Sequence, residues 1–174
     1  REYLKNFFNY MPHHKIKIQS SILTKQRYTE YLPLYTIKAA CGYFGEGEPV
    51  DELGWIKVNG IGKLDQNMFI VEAKGQSMEP LIHDGDYCIF NHQSAGSRQD
   101  KIVLVQHRNF YDEDTAGCYS IKIYKSKKSY NELDEWRHSE ITLIPKSPHY
   151  NPIVITEEES NDFKIIGEFV GIIS

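Results

Sequence analysis

One serine and one lysine in this sequence are of types, and in settings, that could do chemistry together. Ser77 lies in Gly75-Gln76-Ser77-Met78-Glu79-Pro80, a turn that opens on glycine and is followed by Asp84-Gly85-Asp86. Gly75 lets the backbone approach another group closely. A serine on such a turn is presented well, but its hydroxyl is a weak nucleophile until a base takes the proton. Histidine steadied by a carboxylate is the usual base, and the seven histidines are scattered in no pattern of that kind. Lysine serves instead where burial favours the neutral amine. Lys122 has that setting, a single lysine inside Tyr119-Ser120-Ile121-Lys122-Ile123-Tyr124, whereas Lys125, Lys127 and Lys128 fall in a polar run. Two plainer readings stand beside this one. Ser77 could be an ordinary turn residue, and Lys122 an outward side chain whose stem lies along an apolar strand.

The elements that must position these residues read as short strands. Apolar and β-branched runs separated by Gly, Asn and Asp predict strands near Gly54–Val58, Met68–Lys74, Asp86–His92, Lys101–His107, Tyr119–Lys125, Glu140–Pro145, Pro152–Thr156 and Lys164–Ile173. Leu34–Cys41 reads as a further strand, and Ser20–Leu32 as a helix capped by Ser20 or Ser21 and stopped by Pro33. Between Gly42 and Pro49, three glycines and a proline in eight residues predict a flexible, exposed loop. Arg108–Gly117, with Asp112-Glu113-Asp114, and Ser126–Ser139 read as solvent-facing loops. The fold class that follows is mostly β, a twisted and partly closed sheet. A leader over residues 1–33 precedes a main domain over 34–174.

Composition narrows the function classes. At 174 residues the chain has room for one core and a short extra segment. It contains no apolar run of the roughly 18 residues a membrane span needs, and no signal peptide opens it. It begins at Arg1, which reads as a fragment or processed product. Residues 1–38 hold seven Lys/Arg and two Asp/Glu, and residues 39–174 hold thirteen and twenty-two. The basic leader suits a solvated linker, or contact with nucleic acid or an acidic partner. The acidic remainder argues against a duplex-DNA binder. Cys41, Cys88 and Cys118 are odd in number, widely spaced and without CxxC, so neither a disulfide framework nor a metal site is expected, and a reducing cytoplasm fits. His13-His14 reads as polar surface.

The order Gly75-Gln76-Ser77-Met78-Glu79-Pro80, Asp84-Gly85-Asp86, Ser120-Ile121-Lys122, then Ile166-Gly167-Glu168-Phe169-Val170-Gly171 resembles the serine–lysine peptidase domain of LexA-type repressors. The polymerase accessory protein UmuD and phage repressors share that domain, and signal peptidases are distant relatives. The resemblance covers about residues 34–174 and implies a mostly-β domain whose dyad cuts its own chain. It implies Ser77 as nucleophile, Lys122 as general base and the backbone N–H groups of Gln76 and Ser77 as oxyanion hole. The family's cleavage site is Ala or Cys followed by Gly on a mobile loop upstream of the nucleophile. Ala39-Ala40-Cys41-Gly42 matches, with Cys41 36 positions before Ser77. The expected scissile bond is therefore Cys41–Gly42, in a cleavage loop over residues 39–49, with Cys41 as a buried small hydrophobe the alternative.

The resemblance also implies a regulatory switch of the SOS, phage-repressor or stress-defence type, with no cofactor and no metal. Its expected partners are the chain's own loop as substrate, a second copy in a homodimer formed through Lys164–Ile173, and a RecA–single-stranded DNA filament as activator. A non-cleaving interaction module and a peptidase acting in trans remain the rivals. Three features depart from the pattern. Lys122 follows Ser77 by 45 positions, a spacing lengthened by Arg108–Gly117. Ser126–Ser139 is also long. Residues 1–33 hold no winged helix-turn-helix, so DNA binding would need an upstream module. Gly96–His107 with Trp136-Arg137-His138 resembles a branch of these domains carried on larger chains, some with helicase-like modules.

Overall fold

A computed structural model describes residues 16–173. The leader aromatics Tyr3, Phe7, Phe8 and Tyr10, and His13-His14, lie outside the described residues. The strands are β1 (Ile18–Gln19), β2 (Tyr31–Tyr35), β3 (Gly54–Lys57), β4 (Met68–Glu72), β5 (Tyr87–Asn91), β6 (Ile102–His107), β7 (Tyr119–Tyr130), β8 (Trp136–Ile144), β9 (Ile153–Thr156) and β10 (Phe163–Ile172). They form one sheet in the order β1-β3-β2-β4-β5-β10-β6-β7-β8-β9. β2 and β4 run parallel and every other pair is antiparallel. The fold is mostly β. The sheet ends in two different edge strands and is not closed into a barrel.

Each strand's burial follows from its place. β4 sits between β2 and β5 and buries Met68, Phe69, Ile70 and Val71 in succession, the continuous pattern of a strand covered on both faces. β10 joins the two halves of the sheet, pairing Phe163–Glu168 with β6 and Glu168–Ile172 with β5. A register shift falls between Ile165 and Gly167. A Cβ at Gly167 would lie 2.9 Å from Phe90 Cβ and 3.1 Å from Phe69 Cζ, so only glycine lets the strand pass those rings. β10 is an interior strand of the sheet, its first half paired with β6 and its second half with β5.

Four local expectations are corrected. Ser20–Leu32 is not a helix: Thr24–Gln26 form one 3-10 turn, and Tyr31 already begins β2. Its apolar residues follow no helical period, whereas all five residues of β2 are buried. β2 runs across position 33, where Pro33 faces Trp55 of β3, and the pairing with β4 starts only at Leu34. Proline therefore sits where the sheet asks no hydrogen bond of it on the β4 side.

Leu34–Cys41 is also not one strand. After Tyr35 the chain turns into α1 (Ile37–Cys41), with the Thr36 hydroxyl accepting the Ala39 N–H at 3.0 Å. A threonine cap ahead of Lys-Ala-Ala favours helix. The expected flexible loop after it is a π-turn over Gly42–Glu46, closed by Gly47 at φ 71°. Phe44 holds this turn down by stacking on Phe69 at 4.4 Å. Lys164 reinforces it, donating to the Gly45 carbonyl at 2.8 Å and pairing with Glu46 at 3.0 Å.

Finally, Ser126–Ser139 is no loop. It extends β7 and β8 into a ribbon turned by Asn131, whose Oδ1 accepts the N–H groups of Leu133 and Glu135. Among the described residues no helix is long and apolar enough to cross a membrane.

Candidate active site

Ser77 sits on the turn between β4 and β5, and the Asp-Gly-Asp sequence closes that turn. Asp84 Oδ1 accepts the Gly75 N–H at 2.8 Å, and Asp86 Oδ2 accepts the His83 N–H at 2.7 Å. The backbones of Ala73 and Asp86, and of Gly85 and Ala73, bond across its base at 2.8 Å each. Met78 and Ile82 anchor it in the main core beside Ala40 and Cys41. The Ser77 carbonyl accepts the N–H groups of Lys146 and Ser147 at 2.9 and 3.0 Å, which ties the turn to the segment after β8. The hydroxyl is thereby held beside β7.

Lys122 projects from β7 toward that hydroxyl. Its Nζ lies 2.9 Å from Ser77 Oγ, 2.5 Å from Ser120 Oγ and 3.2 Å from the Ile121 carbonyl. Lys122 is only 4% exposed and Ser77 only 7%. Burial is the main influence on the amine and holds it below the ordinary lysine range; Asp112 and Asp114 pull the other way. The arrangement thus makes the amine easier to deprotonate than an exposed lysine and places it within hydrogen-bond reach of a hydroxyl, the geometry a base and nucleophile need. Among the described residues no group of three His, Cys, Asp or Glu is placed to hold a metal ion.

Residues 33–170 match the family model described as Peptidase S24-like. The chain belongs to the S24-like peptidase family. Two relatives of this S24 domain are the LexA repressors of Geobacillus thermodenitrificans (strain NG80-2) and Geobacillus kaustophilus (strain HTA426). Each is 29% identical over 109 residues, covering 62% of this chain and 42% of the repressor. The chain therefore matches less than half the length of those relatives.

The S24 domain carries its other expected site residues in less open settings. Cys41 closes α1, is fully buried in the main core, and burial pushes its thiol up. Gly42 begins the π-turn, so the Cys41–Gly42 peptide is helical here rather than extended. The crevice beside Ser77 measures about 10 Å³, room for a single water-sized group. A larger apolar cavity of about 260 Å³ adjoins it, sharing Ile37, Lys74 and Thr115. The Gln76 N–H lies against the Tyr150 phenol, which burial and then the Asp114 carboxylate push up.

Sequence reading missed three groups of this site. Ser120 was the most legible, since residues two apart on a strand share a face. Asp112 and Tyr150 come from irregular segments whose spacing carries no signal. Arg108–Gly117 is largely exposed, as expected of a solvent-facing loop, but it also lies over the site and turns Asp112 inward. A Cβ at Gly75, whose φ is 80°, would fall 2.2 Å from Asp114 Cγ, so glycine is what lets this loop come down.

Proposed function

We propose that this S24 domain is a serine–lysine peptidase that cuts its own chain between Cys41 and Gly42 as a regulatory switch. The observation that carries the reading is the 2.9 Å approach of a buried lysine amine to the hydroxyl of Ser77. Neutral Lys122 takes the Ser77 proton as Oγ bonds to the Cys41 carbonyl carbon. The carbonyl π electrons move onto oxygen, where the Ser77 N–H, and the Gln76 N–H once Tyr150 yields it, stabilise the oxyanion. Collapse breaks the Cys41–Gly42 C–N bond, and the Lys122 ammonium returns its proton to the Gly42 amine. Water then adds to the acyl-Ser77 ester, giving up a proton through Lys122, and releases the Cys41 carboxylate. Because the substrate is tethered, its effective concentration is high without an extensive recognition surface.

Cleavage requires the segment from Ile37 to Glu46 to leave its helical packing, since neither a buried helical bond nor a crevice of about 10 Å³ fits attack. Regulation then resides in that two-state segment. A partner such as a RecA–single-stranded DNA filament, or a second copy of the chain, could favour the open state. The cavity of about 260 Å³ beside the site also suits a peptide segment from another protein, which favours action in trans as the second reading.

The test is to hold the purified protein between pH 7 and pH 10 and follow its intact mass. Fragments ending at Cys41 and beginning at Gly42, absent from Ser77→Ala and Lys122→Ala, are expected. Cleavage only of an added protein moves the assignment to trans. No cut at any pH, with a stable oligomer, leaves an interaction module.

A further inference from the structure

The loop between β6 and β7 sends one carboxylate down to the base. Asp112, with its side chain 10% exposed, is held by its own turn, its Oδ1 accepting the N–H groups of Asp114 at 2.9 Å and Thr115 at 3.2 Å. Its backbone bonds Gly117 in both directions. That leaves Oδ2 facing Ser120 Oγ at 2.8 Å and Lys122 Nζ at 3.7 Å.

Donor and acceptor counting then fixes a direction. A carboxylate only accepts, so the single Ser120 proton points to Asp112, and Ser120 Oγ faces Lys122 with lone pairs. The Ile121 carbonyl also only accepts. A neutral amine has two protons and one lone pair, and these two acceptors take both protons. The lone pair is left for the one remaining neighbour able to donate, the Ser77 hydroxyl. We infer that Asp112 is a positioning residue for the Ser77–Lys122 reaction: acting through the Ser120 hydroxyl, it aims the lone pair of the amine at the nucleophile. Without it, Ser120 is free to turn its own proton onto that lone pair and occupy the base.

The inference rests on the peptidase reading and adds a signature of its own. The charges acting on Lys122 are Asp112 and Asp114, both from this loop. The turn from β4 to β5 contributes uncharged Ser77, β7 contributes Ser120, and Tyr150, after β8, acts on Asp114. Asp112 therefore makes the amine harder to deprotonate while making the deprotonated amine better aimed. Removing its charge should lower the pH at which activity appears and also lower the rate finally reached.

Asp112→Asn separates these effects. The two backbone N–H groups at Oδ1 keep the amide oxygen in place, so the amide NH2 faces Ser120 and reverses the chain of hydrogen bonds. The readout is labelling of Ser77 by a fluorophosphonate, followed by intact mass from pH 6 to pH 10, with Ser77→Ala as blank. This does not depend on which peptide bond is cut.

With an unchanged melting temperature, Asp112→Asn should shift the labelling midpoint to lower pH and reduce the plateau roughly tenfold or more, the loss of one charge-assisted hydrogen bond. Ser120→Ala should lose the plateau similarly, and it stands in if the first variant fails to fold. A plateau equal to wild type in the folded variants overturns the inference, whatever the midpoint does. A wild-type protein neither labelled at Ser77 nor self-cleaved at any pH overturns the peptidase reading, and the inference with it.

Discussion

Phe44 packs down the π-turn that keeps the Cys41–Gly42 bond helical. It stacks on Phe69 at 4.4 Å and lies 4.9 Å from the His92 ring. Full burial of a phenylalanine is worth about 3–5 kcal/mol against alanine, and Phe44 is half-buried, so Phe44→Ala should weaken the packed state of the segment by about 2 kcal/mol. If opening precedes chemistry, that loss raises the open population, and hence the self-cleavage rate, roughly 30-fold. The assay is the time course of Gly42-initiated fragment at pH 9, well below the melting temperature of both proteins. Ser77→Ala in the same background excludes a contaminating protease. A folded Phe44→Ala protein that cleaves no faster than wild type would refute the reasoning, because opening would then not limit the reaction.

Three further outcomes can be checked. Self-cleavage should climb with pH and level off below the ordinary lysine range, because burial lowers the folded-state affinity of Lys122 for its proton; a rate still rising at pH 10.5 contradicts this. The same shift carries a stability slope. Between the folded and unfolded pKa values the unfolded chain holds more proton at Lys122, so stability rises with pH there, and Lys122→Met should flatten that slope in denaturant titrations. Gly167→Ala should destabilise by about 1–3 kcal/mol through overpacking against Phe69 and Phe90, read as a lower denaturation midpoint with unchanged m-value.

What the sequence made legible follows from what each element needs. Strands such as β4, β5 and β6 stand within a residue or two of their predicted positions, because buried sheet demands runs of Phe, Ile, Val and Leu. α1 was missed because five residues are too few to display a helical period, and its signal is the Thr36 cap alone. The outer ribbon of β7 and β8 was missed because both its faces meet solvent, so Lys127 and Glu140 pair across it with no apolar side to betray a strand. Residue types pointed to Ser77 and Lys122, but a separation of 45 positions specifies no distance; β10, entering between β5 and β6, brings the two halves side by side. Asp112 was beyond reach, because a loop that folds back over a site has no periodicity.

That late-entering strand bears on how the molecule survives its own making. The turn bearing Ser77 belongs to the half of the sheet ending at β5, and Lys122 belongs to the half beginning at β6. Phe163–Ile172 pairs with both halves as their shared rail. During translation the rail is complete only once residue 172 has been made. If the pair cuts its own chain as proposed, that order of emergence guards a nascent chain against premature scission.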